Sequence, residues 1–370
     1  MSEATRSDAP VSSNFSRGEV FAWSAALATL AAAGVVTGAG AGSIPRFVTS
    51  GLALAALAAV IGQAIDHLGE RLGAGATGLL QSTLGNLPEF FVALFALHRG
   101  LTGVVQAALV GSVLGNAVLV LGCAFVAGGL RHGTQSFDPE QPRLYSSLLL
   151  LVVAALLVPT LAHKLHTPAE PHAAALSDVC AVALLLVYVL SIPFWLRKTS
   201  GDAPARPEGG ETADGRRPWP VSASVVVLAL ASAGAALASD WFVEPLKAAT
   251  ASIGISQTFT GLVVVAIASN AVEHAVGVRF ALKAKPEYAI STILSSPLQV
   301  ALLLTPILVL ISPALGPVHL TLVFPALLVA ALGISALVVV VVVYDGEYTW
   351  LEGAALVGLY VIIAASFWWG

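Results

Sequence analysis

The sequence predicts an all-α polytopic membrane protein with about eleven transmembrane helices, one N-terminal helix followed by two inverted five-helix repeats. Three observations carry that reading. First, 57% of the 370 residues are hydrophobic and only 10% are charged, against about 25% charged in an average soluble domain. Second, the apolar residues gather into runs that match the length of a membrane-crossing helix, about 20 residues. Third, a short acidic motif occurs twice, on runs that cross in opposite directions. The composition excludes an ordinary soluble enzyme and excludes intrinsic disorder, which needs low hydrophobicity and high charge. A net charge of −4, from 17 Lys+Arg against 21 Asp+Glu, leaves no basic excess to hold nucleic acid.

Read between charged or Pro/Gly-rich breaks, the candidate spans are 20–42, 46–66, 77–98, 104–128, 144–162, 177–196, 221–239, 257–282, 288–311, 318–343 and 350–369. Residues 1–19 form a polar N-terminal tail and 20–42 the extra first helix. That run is long for a signal-peptide core and is followed by further spans, so it is kept as a helix. Only Ser43-Ile44-Pro45 separates it from the next run. The first five-helix repeat occupies 46–196 and the second 221–370. Between them, 197–220 is rich in Arg, Asp, Glu, Gly and Pro without apolar periodicity, and reads as a flexible cytoplasmic linker. With the N-terminus in the cytoplasm, 13 of the 17 Lys and Arg fall inside, leaving Arg46, Arg99, Lys164 and Lys247 outside. The positive-inside rule therefore sets the N-terminus in and the C-terminus out, in a cell (inner) membrane.

The repeat is carried by Gly85-Asn86-Leu87-Pro88-Glu89 and Ser269-Asn270-Ala271-Val272-Glu273, followed respectively by Phe95-Ala96-Leu97 and Phe280-Ala281-Leu282. In both copies Asn precedes Glu by three residues and a serine follows Glu by 23, at Ser112 and Ser296. Glu89 lies in the third candidate span and Glu273 in the eighth, so the two runs cross in opposite senses. Inverted repeats of this kind mark secondary transporters, with the site at the midplane between the halves.

Most acidic residues lie near span ends or in loops; Glu89 and Glu273 lie well inside apolar runs. A carboxylate at that depth costs about 2.5–3.5 kcal/mol on insertion scales. No Lys or Arg lies at comparable depth in the same runs, Arg279 being six residues beyond Glu273. The bland alternative is a protonated acid hydrogen-bonded between helices. The Asn-x-x-Glu spacing puts an amide oxygen and a carboxylate on one helical face. Pro88 cannot donate a backbone hydrogen bond and so frees a carbonyl one turn earlier, which is tolerated at membrane depth only where it lines a cavity or ligand. Two carboxylates, two amides, two hydroxyls and some carbonyls make an all-oxygen set, the preference of hard cations such as Ca²⁺.

Other residues carry two readings each. Asn86 and Asn270 are ligands or interhelical hydrogen-bond glue; Ser112 and Ser296 are ligands or bond a carbonyl of their own helix. Gln106, Asn116 and Gln299 follow the glutamates in polar positions and serve packing or ligation, Gln106 and Asn116 being also candidates for gating or relay. His274 adjoins Glu273 on another face and serves gating, proton relay or packing. Cys123 and Cys180 lie in apolar runs without metal-ligand spacing. Gly38-Ala39-Gly40-Ala41-Gly42 follows a helix rather than a strand, so it is no nucleotide loop.

The stretch from Gly85 to Leu97, with Val104-Val105-Gln106-Ala107-Ala108-Leu109-Val110-Gly111-Ser112, resembles the first signature repeat of the cation/proton exchanger (CAX) branch of the calcium/cation antiporter superfamily. Asn270-Ala271-Val272-Glu273-His274-Ala275 resembles the second repeat, and Asp345-Gly346-Glu347, Trp350-Leu351-Glu352-Gly353 and Tyr360 resemble the last helix of that family. The resemblance implies Ca²⁺/H⁺ exchange, with Glu89 and Glu273 binding cation and proton alternately and Asn86, Asn270, Ser112, Ser296 and Gln299 lining the path. It also implies eleven helices with the first outside the inverted repeat. Pro88 stands where the family usually has a small or β-branched residue, and Ser269 replaces the usual glycine. The acidic helix common in the central loop of relatives is reduced to Glu208, Glu211 and Asp214, as in prokaryotic members.

The expectation is thus a secondary transporter, not an enzyme, exchanging Ca²⁺ for H⁺ across a lipid bilayer, with no cofactor, no ATP and no nucleic acid. The nearest alternative is a Na⁺ or K⁺/H⁺ antiporter of the same fold. An intramembrane hydrolase would need H-E-x-x-H or G-x-S-x-G and a pump G-x-x-x-x-G-K-[ST]; none is present. A passive channel usually repeats its pore element by oligomerisation, whereas here the duplication lies within one chain.

Overall fold

A computed structural model describes residues 16–72, 84–201, 219–315 and 318–369. Within them the chain is almost wholly helical. Helix α1 (Arg17–Gly38) opens with a capping box, Ser16 and Glu19 each satisfying the other's backbone N–H. Helix α2 (Ser43–Leu72) is longer than its predicted span because Pro45 falls in its first turn, where a missing N–H costs nothing. The break before it is made instead at Gly40, at φ +65. Helix α3 (Leu87–His98) is the described part of the third span. Helix α4 runs unbroken over Thr102–His132, and is followed by α5 (Glu140–Lys164) and α6 (Ala173–Gly201). After the linker come α7 (Val221–Val243), the short α8 (Leu246–Ile253) and α9 over 257–282, then α10 (Pro286–Leu315), α11 (Ala326–Val342) and α12 (Trp350–Ser366).

Among the described residues seven helices are long and apolar enough to cross a membrane, or eight if α8 and α9, bent by 115°, count as one broken span. Three shorter apolar helices, α3, α11 and α12, fall below that length. Residues 1–15 of the predicted 1–19 tail and most of the linker, with Glu208, Glu211 and Asp214, lie outside the described residues, while 17–19 belong to α1.

Two features depart from the sequence reading. The span predicted over 318–343 is helical only from Ala326. Pro325 disfavours helix in the residue before it, and the preceding apolar stretch is irregular, with Leu320, Leu322 and Phe324 buried. Its backbone is satisfied by side chains from other helices. The N–H groups of Leu320, Leu322 and Phe324 donate to the hydroxyls of Ser312, Ser177 and Thr160, and Gln106 Nε2 donates to the carbonyls of Thr321 and Val323. Irregular backbone at membrane depth persists only when buried and bonded in this way. The second departure is a two-residue antiparallel pair, β1 (Gln135–Ser136) with β2 (Glu347–Tyr348), which ties the loop after α4 to the loop before α12.

Glycines let the central helices touch. A Cβ on Gly261 of α9 would lie 2.7 Å from the Val104 carbonyl and 2.8 Å from Ala107 Cβ of α4, and one on Gly111 of α4 would strike the Leu262 backbone. The two helices therefore cross backbone to backbone, small residues providing the close approach that membrane helices use.

Candidate functional site

That crossing decides which polar side chains meet. Helix α3 begins at Leu87, with Asn86 as its N-cap residue and Pro88 in the first turn. Glu89 therefore sits in the first turn, where the helix dipole favours negative charge. It is only 2% exposed. Glu273 lies in the middle of the second part of α9 (Ala266–Leu282) and is half-buried. That helix is continuous around it, and Ser269 Oγ donates to the Val265 carbonyl and Asn270 Nδ2 to the Ala266 carbonyl.

Each glutamate meets the serine 23 residues beyond it. Ser112 Oγ donates to Glu89 Oε2 at 3.2 Å, and Ser296 Oγ donates to Glu273 Oε2 at 2.6 Å. The amides then join the halves. Asn270 Nδ2 donates to Ser112 Oγ at 3.1 Å, Asn86 Nδ2 to Gln299 Oε1 at 3.1 Å, and Asn116 Nδ2 to Ser296 Oγ at 3.4 Å. Eight of the ten singled-out residues thus form one cluster.

The other two stand apart from that network. Gln106 holds the irregular stretch before α11, at 3.1 Å from Thr321 O and 2.9 Å from Val323 O. His274 is half-buried, and its Nε2 is buried without a hydrogen-bond partner; a Cβ on Gly115 would lie 4.0 Å from its Cε1.

The cluster has the chemistry of a hard-cation site. Glu89 Oε1 and Asn86 Oδ1 are buried acceptors with no hydrogen-bond partner, an arrangement costly in a membrane interior unless a ligand answers it. Among the described residues no group of three or more His, Cys, Asp or Glu side chains converges. The charge comes from two carboxylates and the remaining donors are amide and hydroxyl oxygens, a set that suits a divalent cation of the Ca²⁺ type.

Sequence reasoning missed the π-helical segments. They occupy Gly115–Val120, Thr260–Val265 and Val300–Leu304. Asn116 lies within the first and Gln299 immediately before the third. Each segment shifts the helical register by one residue, which re-aims the polar side chains beside it; such turns are frequent at functional sites. They change one hydrogen bond per turn and leave no compositional trace, so no signal in the sequence could have found them.

Comparison with known proteins agrees with this architecture. The sequence matches the family described as sodium/calcium exchanger protein over residues 42–196 and 223–369. It is 37% identical over 346 residues to a Ca²⁺/H⁺ antiporter of Synechocystis sp., covering 89% of this chain and 92% of the relative. It is 34% identical to the Ca²⁺/H⁺ antiporter ChaA of Bacillus subtilis, covering 84% of this chain and 88% of the relative. The solved structure of native YfkE superposes with a TM-score of 0.79 at 30% identity, covering 94% of this chain and 99% of that one. The chain belongs to the sodium/calcium exchanger family, and it is a multi-pass membrane transporter rather than an enzyme.

Proposed function

We propose that this membrane antiporter exchanges Ca²⁺ for H⁺ by alternating access, the cation and protons competing for Glu89 and Glu273. The observation that carries the reading is the joining of the two halves at one buried cluster of oxygen donors, with a carboxylate contributed by each half. The relatives named Ca²⁺/H⁺ antiporter support Ca²⁺ as the cargo. Antiport needs each substrate to exclude the other. Protonation removes the charge that attracts Ca²⁺, and bound Ca²⁺ repels protons, so two shared carboxylates achieve exclusion with no further device. Asn86, Asn270, Ser112, Ser296 and Gln299 orient or complete the site, and no resident cofactor takes part.

The same reading extends to the fold. The seven long spans, the bent pair α8–α9 and the three shorter helices make eleven crossings, with α1 outside two inverted sets of five. The family match leaves out residues 1–41 and 197–222, which supports division at those points. We place the N-terminus in the cytoplasm and the C-terminus outside, in the cell membrane, on the distribution of Lys and Arg.

The test is cation flux into vesicles of purified protein under an imposed pH gradient, comparing Ca²⁺, Na⁺, K⁺ and Mg²⁺. Ca²⁺ flux alone is expected; flux of Na⁺ or K⁺ without Ca²⁺ would establish the monovalent alternative.

A further inference from the structure

The last turn of α7 breaks a local rule. Asp240 and Glu244 lie four residues apart at the C-terminal end of the helix. Like charges at that spacing repel, and negative charge at a helix C-terminus opposes the helix dipole. Arg46, in the first turn of α2, has the wrong sign for its position as well. Local charge choices that conflict with the helices carrying them point to a role beyond helix stability.

The structure shows what answers them. Arg46 pairs with Glu244, and Arg99, the residue that ends α3, pairs with Asp240 at 2.6 Å. The residues between the two acids are seated too. The Phe242 ring stacks on Phe47 of α2 at 4.5 Å and lies over Gly51, where a Cβ would come within 3.2 Å of it. Trp241 lies over Gly34 of α1 in the same way, at 3.2 Å. One turn of α7 is thus docked on three helices, two of them through ion pairs.

We propose that Asp240 and Glu244, through Arg99 and Arg46, form a lock that holds the outer ends of α7, α2 and α3 together and biases the transporter toward its outward-closed state. The proposal rests on the orientation and alternating access proposed above, in which Arg46 and Arg99 face outside. Separating these ends returns three of the four charges to unfavourable helix termini, so the closed arrangement is favoured. The Arg99 and Asp240 side chains are 35% and 39% exposed and those of Arg46 and Glu244 19% and 40%. Partly exposed pairs contribute little individually, and removing both changes the ratio of open to closed states by about 2- to 30-fold. An alternating-access carrier is sensitive to such a change because its states differ by only a few kcal/mol.

The experiment is double electron–electron resonance between spin labels at positions 44 and 248, both exposed near these ends, with Cys123 and Cys180 replaced by alanine. The unaltered ion pairs should give one narrow distance. Asp240→Asn with Glu244→Gln should add a longer population, and 1 M choline chloride should do the same without any substitution, since screening then acts within about 3 Å. The charge swap Arg99→Asp with Asp240→Arg should restore the narrow distance relative to either single reversal. An unchanged distribution in both the neutral variant and high salt, or a charge swap that folds yet stays as open as the single reversals, would overturn the lock. Impermeant labelling of a cysteine at position 248 reports sidedness separately: labelling only from the cytoplasm would make the lock an inner one and refute the outward-closed bias. Ca²⁺ flux by the unmodified protein reports separately on exchange. Its absence would remove the exchange reading while the distances still decide whether the ends are locked.

Discussion

The two glutamates repeat in sequence but not in setting. Glu89 lies in the first turn of α3 behind Pro88, is buried, and receives the Ser112 hydroxyl at 3.2 Å; its other oxygen and Asn86 Oδ1 have no partner. Glu273 lies mid-helix in α9, is half-buried, and is held by Ser296 at 2.6 Å. The first half therefore presents two buried acceptor oxygens without partners, whereas the second holds its carboxylate by the shorter serine bond. The same Asn-x-x-Glu spacing thus stands in two different settings, one at a helix start behind a proline and one within a continuous helix.

Removing either charge is the strongest way to break this comparison. Glu89→Gln and Glu273→Gln should each lower Ca²⁺/H⁺ exchange by about 100-fold or more, the scale of losing one member of a buried charged interaction, with expression and monodispersity unchanged. Equal loss is expected because one divalent ion needs both carboxylates. A normal rate in either variant would remove that residue from the site.

The serines sharpen the contrast. A short hydroxyl-to-carboxylate bond is stronger than a long one. Ser296→Ala should therefore raise the Ca²⁺ concentration for half-maximal exchange by about 10-fold or more, and Ser112→Ala by about 2- to 10-fold. Losing either hydroxyl weakens the ionised carboxylate, so both shifts run toward lower affinity. The reverse order would show that the 2.6 Å contact is not the tighter restraint. Pro88→Val makes the first copy resemble the second, where Val272 stands, and should change Ca²⁺ affinity by about 2- to 5-fold through the Asn86–Glu89 geometry, within the few tenths to one kcal/mol of a local backbone change. Glu347→Gln should matter least: Glu347 is exposed in β2, and its carboxylate accepts only a long bond from Ser136 Oγ at 3.5 Å.

Much of the cluster was legible because charge is expensive at membrane depth. Glu89 and Glu273 stood out against apolar runs, and the three- and 23-residue spacings pointed to Asn86, Asn270, Ser112 and Ser296. The bonds joining the halves were not legible. Asn86 meets Gln299 across 213 residues and Asn116 meets Ser296 across 180, and such pairings depend on how helices cross, which local periodicity does not encode. For Gln106 the sequence leaves packing and ligation open, and its amide takes the packing role by holding the carbonyls of Thr321 and Val323. The same long-range bonding explains the misread span over 318–343. The apolar stretch before Pro325 has the composition of a helix, and hydroxyls from three other helices together with the Gln106 amide hold its irregular backbone.

The central claim is that Ca²⁺ and protons occupy the same two carboxylates, one from each half. Calorimetric Ca²⁺ titration at several pH values, in buffers of different ionisation enthalpy, tests it most directly. Protons and cation compete, so apparent Ca²⁺ affinity should fall as pH falls, and binding should release protons, up to two from this pair. Affinity independent of pH with no proton release would contradict direct competition and leave the coupling to conformation alone.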